Sequence, residues 1–268
     1  GLLRGGGESS AALVFSPVAD LPGDPTIPIH ALWGNGPGDV WAVGGENTND
    51  GWPLAQKGRV LHYGGDAADG GTGWTVDDVL SSQDIGFRGV FGNAATGVWV
   101  HGIDKSGTNG LYRARVLRRP PGAAEWISIE LPDDTDGGPR PYAQELFAAS
   151  ATSSTSIWLR GKTGVDVEAL WHGTSSDGGA TFTWTFTRVS PFDRAIAAFW
   201  GTSSTDTWAV GMNGLVSRYN GGSWQQAVVR VTSHPVGKSF WAIWGTASDD
   251  FWVVGDDIAL HRTNAGEP

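Results

Sequence analysis

The chain has no cysteine, one methionine and only four lysines among its 268 residues. The absence of cysteine excludes disulfide bonds and thiolate metal sites. A formal net charge of -10 leaves no basic surface for a phosphate backbone, so nucleic acid is not an expected partner. No apolar run approaches the roughly 18 residues of a membrane-spanning helix, so membrane insertion is not expected either.

Long helical patterns are also missing. Glycine and proline, with 41 and 14 residues, make up about a fifth of the chain and interrupt any apolar period of 3.6 residues. The apolar residues stand instead in short runs bounded by Gly, Asn, Asp, Ser and Thr, which is typical of strands. The composition therefore predicts an all-β fold with almost no helix.

One short pattern occurs five times. Each copy is an apolar run that ends in an aromatic residue, then a small polar turn, then a second apolar run around a tryptophan, which together predict a β-hairpin. The copies read LWGNGPGDVWAVG, VFGNAATGVWVHG, LFAASATSSTSIWLRG, FWGTSSTDTWAVG and IWGTASDDFWVVG, and their tryptophans are Trp41, Trp99, Trp158, Trp208 and Trp252.

Each hairpin is followed by a third apolar segment, and four of them by a fourth segment that opens on Trp74, Trp126, Trp184 or Trp224. The fifth copy reaches Pro268 without a fourth segment. The stretch from Phe15 has the same aromatic opening, so we expect it to supply that strand. The pattern predicts a five-bladed β-propeller with four antiparallel strands per blade and an N-terminal strand that completes the last blade.

The predicted organisation is a flexible leader over residues 1–11 and a single domain over residues 12–268. The expected blades cover residues 29–80, 86–131, 142–189, 195–231, and 239–263 together with 12–21. Twelve of the 15 tryptophans recur at repeat positions and are predicted to be framework. Trp171 is predicted to pack inside its blade, whereas Trp52 and Trp241 have no counterpart in other blades.

The repeats resemble the Trp-rich and Asp-box repeats of secreted bacterial propellers. Between the third and fourth segments of the third copy, Ser175, Asp177, Gly179, Thr181 and Phe182 match the pattern S-x-D-x-G-x-T-[FW]. The resemblance implies a folded turn whose carboxylate caps nearby N–H groups and whose aromatic side chain is buried.

Other repeat positions are also predicted to be structural. Three aspartates precede the repeat tryptophans and are expected to cap turns, namely Asp39, Asp206 and Asp250. Three further residues share a third-segment register and are expected to be surface repeat positions rather than ligands, namely His62, Arg218 and His261.

At the level of the fold, a five-bladed ring is similar to tachylectin-type lectins and to the five-bladed glycosidases. The first resemblance implies sugar binding on the blades, and the second implies carboxylates at the channel mouth. Fold alone assigns neither activity.

The candidate ligand site combines Trp52 and Trp241 with His30 at the expected entrance of the propeller. An aromatic platform beside polar groups suits a sugar ring or an extended peptide. The alternative is structural: Trp52 closes its own loop and Trp241 plugs the channel.

Glu145 occupies a register that carries Ala or Gly in the other copies. A carboxylate there is costly unless it is paired, and Arg88 of the neighbouring blade is the expected partner. We include both in the candidate ligand site. A carbohydrate-active hydrolase using Asp84, Glu145 and Asp193 is the alternative, because glycoside hydrolysis requires paired carboxylates.

No metal site or cofactor is expected. Asp133, Asp134 and Asp136 lack the spacing of a defined Ca²⁺ loop and are better explained as a solvated acidic turn. The sequence thus predicts a non-enzymatic module that binds glycan or extended peptide at the entrance face. A structural interaction domain of a cell-envelope protein is the third alternative. The scarcity of lysine and the Gly, Ser, Thr, Asn and Trp richness favour an extracellular or cell-envelope location.

Overall fold

The computed structural model describes residues 2–6, 14–45, 57–66, 73–104, 112–136, 140–189, 196–227, 230–231, 234–235 and 237–263. The chain forms two compact units. Unit 1 comprises Gly1–Val90 and Val100–Arg115, and unit 2 comprises Phe91–Trp99 and Val116–Pro268. Among the described residues, no helix is both long and apolar enough to span a membrane.

The five repeats form five antiparallel sheets, each in simple up-and-down order. Sheet 1 contains β3 (Ile29–Gly36), β4 (Asp39–Gly45), β5 (Gly58–Tyr63) and β6 (Trp74–Val76). Sheet 2 contains β7 (Ile85–Asn93), β8 (Gly97–Asp104), β9 (Arg113–Arg119) and β10 (Ile127–Ile129). Sheet 3 contains β11 (Ala143–Ser153), β12 (Ser156–Thr163), β13 (Glu168–Thr174) and β14 (Thr183–Arg188). Sheet 4 contains β15 (Ile196–Ser203), β16 (Asp206–Gly211), β17 (Val216–Tyr219) and β18 (Trp224–Ala227).

Sheet 5 has three strands, β21 (Phe240–Ala247), β22 (Asp250–Gly255) and β23 (Ile258–Arg262). The remaining strands form two small hairpins, β1 (Leu3–Gly6) with β2 (Val14–Pro17), and β19 (Arg230–Val231) with β20 (His234–Pro235). One short α-helix, α1 (Asp78–Ser81), and a 3-10 turn at Met212–Gly214 interrupt the strands. The predicted all-β, five-bladed β-propeller class is confirmed, with four strands in four of the described blade sheets.

A glycine follows the second-strand tryptophan by three residues in each repeat, and in sheets 1, 2, 3 and 5 the first strand approaches it closely. In sheets 1, 3 and 5 this glycine faces a bulge in the first strand. A Cβ atom on Gly44 would lie 1.7 Å from the Pro28 carbonyl oxygen, and one on Gly255 would lie 1.9 Å from that of Ser239. The recurrent Trp-x-x-Gly ending is therefore required by backbone contact.

Within unit 2, sheets 3, 4 and 5 pack face to face in succession. Trp158 of sheet 3 contacts Phe199 and Trp224 of sheet 4, with ring centroids 6.2 and 5.0 Å apart. Trp208 of sheet 4 contacts Phe251 of sheet 5 at 5.0 Å. Each inter-sheet core therefore contains the second-strand tryptophan of the preceding sheet.

The prediction that the repeat tryptophans are core holds for Trp41, Trp99, Trp158 and Trp208, which are all buried. It is wrong for Trp252, which is 45% exposed. Trp171 packs inside its blade as predicted, because it is fully buried and its Nε1 donates to the Pro132 carbonyl at 3.0 Å.

In each blade sheet, a His or Arg side chain of the third strand stacks on the second-strand tryptophan. The pairs are His62 on Trp41, Arg118 on Trp99, His172 on Trp158, Arg218 on Trp208 and His261 on Trp252. Asp39, Asp206 and Asp250 have the structural role that was predicted, but their partners differ. They bond these His and Arg side chains, at 2.9, 2.7 and 2.7 Å, and Asp206 and Asp250 also accept from the hydroxyls of Thr202 and Thr246.

The N-terminal residues form a hairpin that the sequence pattern did not predict. Leu3–Gly6 form a strand, and Val14–Pro17 pair with it. Leu2 lies in a cluster with Ala42 and Leu61 of sheet 1, so the hairpin contacts that sheet within unit 1. The flexible leader over residues 1–11 and the completion of the last blade by the segment from Phe15 stay predictions.

The buried His101 and the half-buried His172 predict acid sensitivity. Burial lowers the pKa of His101 to about 4, with a contribution from the Arg88 charge, and burial lowers that of His172 to about 4. Since the unfolded chain binds these protons from pH 6.5 downwards, stability is lost as the pH falls from about 6.5 to 4, by about 3 kcal/mol for His101. Urea midpoints at pH 7 and pH 5 should show this loss.

The variant His172→Gln should lose less stability than the parent over this pH interval. His30→Gln is the matched control, because His30 is exposed, and it should show the parent's full loss. A His172→Gln curve that parallels the parent curve would contradict the assignment.

Candidate recognition surface

The structure places the predicted ligand residues on separate elements. His30 is exposed on β3 in unit 1, and its Nε2 lies 2.8 Å from the Gly45 carbonyl oxygen. Trp241 is 49% exposed on β21 in unit 2, and its Nε1 donates to Asp256 at 2.7 Å. Trp52 lies outside the described residues. The structural alternative, in which Trp52 closes its loop and Trp241 plugs the channel, stays a prediction.

Arg88 and Glu145 are both half-buried, Arg88 on β7 in unit 1 and Glu145 on β11 in unit 2. Their pairing stays a prediction. Of the hydrolase carboxylates, Asp84 is exposed in unit 1 and Asp193 lies outside the described residues. No single unit thus contains two described members of the set Asp84, Glu145 and Asp193.

The acidic turn differs from its prediction at one residue. Asp133 and Asp136 are exposed, but Asp134 is buried and accepts hydrogen bonds from Nε and Nη2 of Arg188 at 3.0 and 3.1 Å. Asp134 is therefore half of an ion pair that ties the turn to β14. Over the described part of the chain, no group of three or more His, Asp or Glu side chains is placed to hold a metal ion.

In sheet 3, the turn between β13 and β14 is held by hydrogen bonds to Asp177. The Asp177 carboxylate accepts from the Thr181 amide at 2.9 Å and from the Thr181 hydroxyl at 2.6 Å. These bonds hold the pKa of Asp177 far below its usual range. Phe182 packs edge-on against Trp99, with centroids 5.4 Å apart. The turn therefore stabilises the fold and offers no free carboxylate.

Besides Trp241, sheet 5 carries two exposed tryptophans among the described residues. Trp244 and Trp252 are directly opposite on β21 and β22, and they are 65% and 45% exposed. The neighbouring pair on the same face is Ala242 and Val254, both exposed. We call this surface, formed by Ala242, Trp244, Trp252 and Val254, the outer face of sheet 5.

The other face of sheet 5 is buried. Phe240, Ile243, Phe251 and Val253 pack with Trp208 of sheet 4. Sheet 5 therefore has one face in the core of unit 2 and one aromatic face exposed. Large uncovered apolar surfaces of this kind mark interaction sites.

Sheet 5 also has an open edge. Within the described residues, β23 pairs with β22 alone, whereas the third strand of each other blade sheet has a fourth strand beside it. An edge strand with unsatisfied N–H and C=O groups is a template for another strand.

The polar groups around sheet 5 are mostly acidic. Asp249 and Asp250 stand at one end of β22, and Asp256 and Asp257 stand at the other. The His261 ring stacks on Trp252 and bonds Asp250. Bonds from Thr246 and then His261 lower the pKa of Asp250, so this carboxylate is charged at neutral pH.

Sequence reasoning assigned Trp244 and Trp252 to the framework because they occupy repeat positions. Their sequence context resembles that of the buried repeat tryptophans, because exposure depends on what packs against the sheet and not on the position in the repeat.

No protein-family model matches the chain, and no curated protein matches it. Among solved structures, the chain is similar to YCF48 from Cyanidioschyzon merolae, with 14% identity, a TM-score of 0.34, and coverage of 92% of this chain and 98% of that one. It is also similar to a structure described as YCF48 bound to D1 peptide, with 15% identity, a TM-score of 0.34, and coverage of 92% of this chain and 100% of that one.

Proposed function

We propose that this chain is a non-enzymatic recognition module that binds an extended polypeptide segment at sheet 5. The observation that carries the proposal is the combination of an open edge on β23 with the exposed aromatic outer face of the same sheet. A polypeptide strand added to an exposed edge gains main-chain hydrogen bonds, and its side chains supply specificity.

The chain's own fourth strands indicate what such a partner should look like. Trp184 of β14 contacts Trp99 at 6.1 Å, and Trp224 of β18 contacts Trp158 at 5.0 Å. Each of these fourth strands thus has, near its start, an aromatic residue that packs on the second-strand tryptophan of the preceding sheet. A partner strand that pairs with β23 in the same register would place its aromatic residue next to Trp208.

The charged residues around sheet 5 narrow the choice of partner further. Asp249, Asp250, Asp256 and Asp257 surround sheet 5, and Lys238 and Arg262 are the basic residues nearest to them in sequence. An extended segment that carries positive charge is therefore favoured over an acidic one, because charge complementarity guides association.

A glycan is less well supported than a polypeptide. Sugar recognition needs hydrogen-bonding groups beside an aromatic platform. On the outer face, Trp244 and Trp252 are flanked by Ala242 and Val254, and the nearby His261 already bonds Asp250. An extracellular or cell-envelope setting remains part of the proposal and rests on the composition alone.

The test uses a synthetic peptide with the sequence TWTFTRV, which copies residues 183–189. We expect it to bind the full chain with a Kd between about 1 µM and 1 mM, since a shallow edge site buries little surface. Isothermal titration calorimetry measures the affinity. Trp252→Ala should weaken binding at least about tenfold, which corresponds to about 1.4 kcal/mol. Val79→Ala, an exposed site in unit 1, is the control and should bind like the parent.

Two methylated peptides test the edge itself. Successive N–H groups of a strand point to opposite sides, so peptides methylated on alternate amides differ only in which set of donors is lost. One of the two should lose binding and the other should keep it. Equal binding of both peptides, or binding of oligosaccharides in place of any peptide, would overturn the proposal.

A further inference from the structure

A cavity of about 360 Å³ lies in unit 1, separate from sheet 5. Its lining includes the basic residues Lys57 and Arg59, the apolar residues Ile27 and Val76, and the polar residues Ser82 and Gln83. The volume lies within the range of small-molecule sites, which are about 300 to 1,000 Å³. Of the candidate residues drawn from the sequence, Asp84 alone belongs to the lining of this cavity.

Arg59 is the unusual member of the lining, because it is charged and only 5% exposed. Its Nε donates to the Pro22 carbonyl at 3.1 Å, and its Nη2 donates to the carbonyls of Leu21 and Pro22 at 3.0 and 2.5 Å. These bonds fix the guanidinium plane against the segment that precedes β3.

Asp24 is the anionic neighbour of this guanidinium, but it forms no close ion pair with it. Over the described part of the chain, Nη1 of Arg59 makes no hydrogen bond, and no carboxylate oxygen lies within 4.0 Å of the side chain. Burial lowers the pKa of Arg59, although the charge of Asp24 opposes this effect. A buried cation without a directly bonded carboxylate is costly, so an anionic ligand would offset part of that cost.

The acids of the lining are differently placed. Asp24 accepts from the Thr26 hydroxyl and amide at 2.6 and 2.9 Å, and these bonds lower its pKa. Asp84 is exposed. The carboxylates of Asp24 and Asp84 therefore lie at the rim of the cavity, whereas its buried charged residue, Arg59, is positive.

We propose that this cavity binds a carboxylate that carries a short aliphatic group. The carboxylate approaches Arg59 with support from Lys57, because guanidinium and carboxylate form directed charge-assisted hydrogen bonds. The aliphatic group contacts Ile27 and Val76. Two sources share this chemistry, a free short-chain acid and the C-terminal residue of a polypeptide. The proposal is independent of strand binding at sheet 5, since the two sites lie in different units.

The experiment titrates the full ¹⁵N-labelled chain with butyrate, with the tripeptide acetyl-Ala-Ala-Val, and with the same tripeptide amidated at its C terminus. We expect shifts at the amides of Gly58 and Val60 with butyrate, with the free-acid tripeptide, or with both. The amide should give none. Butyrate alone would identify a free acid as the ligand, and the tripeptide alone would identify a C terminus.

A matched pair of variants tests the basic residues. Arg59→Met would also remove the hydrogen-bond donors to the Leu21 and Pro22 carbonyls, so it would not separate ligand binding from a structural change. The test therefore uses lysine variants. Lys57→Met changes an exposed residue and should weaken carboxylate binding about fivefold or more, whereas Lys238→Met, an exposed lysine of unit 2, should leave it unchanged. No shifts at carboxylate concentrations up to about 20 mM, equal shifts with acid and amide, or equal losses in the two lysine variants would overturn the proposal.

Discussion

Replacing Trp158 by alanine is expected to cost the chain about 3 to 5 kcal/mol of unfolding free energy. The Trp158 ring is buried between sheets 3 and 4. It stacks on His172 at 3.8 Å and meets Tyr219 and Trp224 edge-on at 4.9 and 5.0 Å. The alanine variant loses these contacts and leaves a cavity between two sheets, which explains the large effect.

The control is Trp252→Ala, at the same repeat register in sheet 5. Trp252 also stacks on a third-strand histidine, but it is 45% exposed. We expect its replacement to cost less than about 1.5 kcal/mol, because little burial is lost. Urea denaturation followed by far-UV circular dichroism compares the two variants. Equal losses would show that the repeat register, rather than burial in this structure, sets the stability of each tryptophan.

The sheets could be predicted from the sequence because their information is local. Alternating apolar residues, a polar turn and a closing glycine define each hairpin within about a dozen residues. The cross-strand pair Trp33 and Trp41 and its counterpart Trp244 and Trp252 both follow from that pattern. The third and fourth strands of the first four copies were predicted for the same reason.

The pairing of Leu3–Gly6 with Val14–Pro17 was not predicted because strand partners are not encoded in one segment. The segment around Phe15 has the aromatic opening of a fourth strand, but that opening does not choose an edge. Its partner, Leu3–Gly6, contains two glycines and carries little strand signal. The exposure of Trp252 was missed for a related reason. A repeat position tells which way a side chain points, but it does not tell whether another sheet covers it.

The buried cations were the least predictable feature. Arg59 and Arg118 are charged residues in third strands, and charged residues are rarely buried. Arg118 occupies the same repeat position as His62. The sequence therefore indicates on which face of the strand its side chain lies, but not that the side chain is buried. Both side chains are buried because they donate to carbonyl groups of loops far away in sequence, and no local pattern reports such loops.

Replacing Arg118 by methionine is expected to cost about 3 to 5 kcal/mol, as for other buried charged networks that lose one partner. Arg118 is 2% exposed and stacks on Trp99 at 5.1 Å. Its Nε donates to the Thr96 carbonyl at 2.8 Å, and its two terminal nitrogens donate to the carbonyls of Ala180 and Gly179. Methionine fills much of the volume but leaves these carbonyls without their donor.

The matched control is Arg218→Met, at the same register in sheet 4. Arg218 stacks on Trp208 in the same way, but its side chain is 48% exposed and its Nε donates to the single carboxylate of Asp206. We expect this variant to lose less than about 1 kcal/mol, since a half-exposed ion pair contributes little. Urea unfolding midpoints measured at low and at high salt distinguish the stability losses of the two variants. The Arg118 loss should persist at high salt because its partners are buried carbonyls, whereas the Arg218 loss should shrink through screening. A small loss for Arg118→Met would mean that the Gly179–Ala180 turn is held by its own Asp177 bonds and not by the arginine.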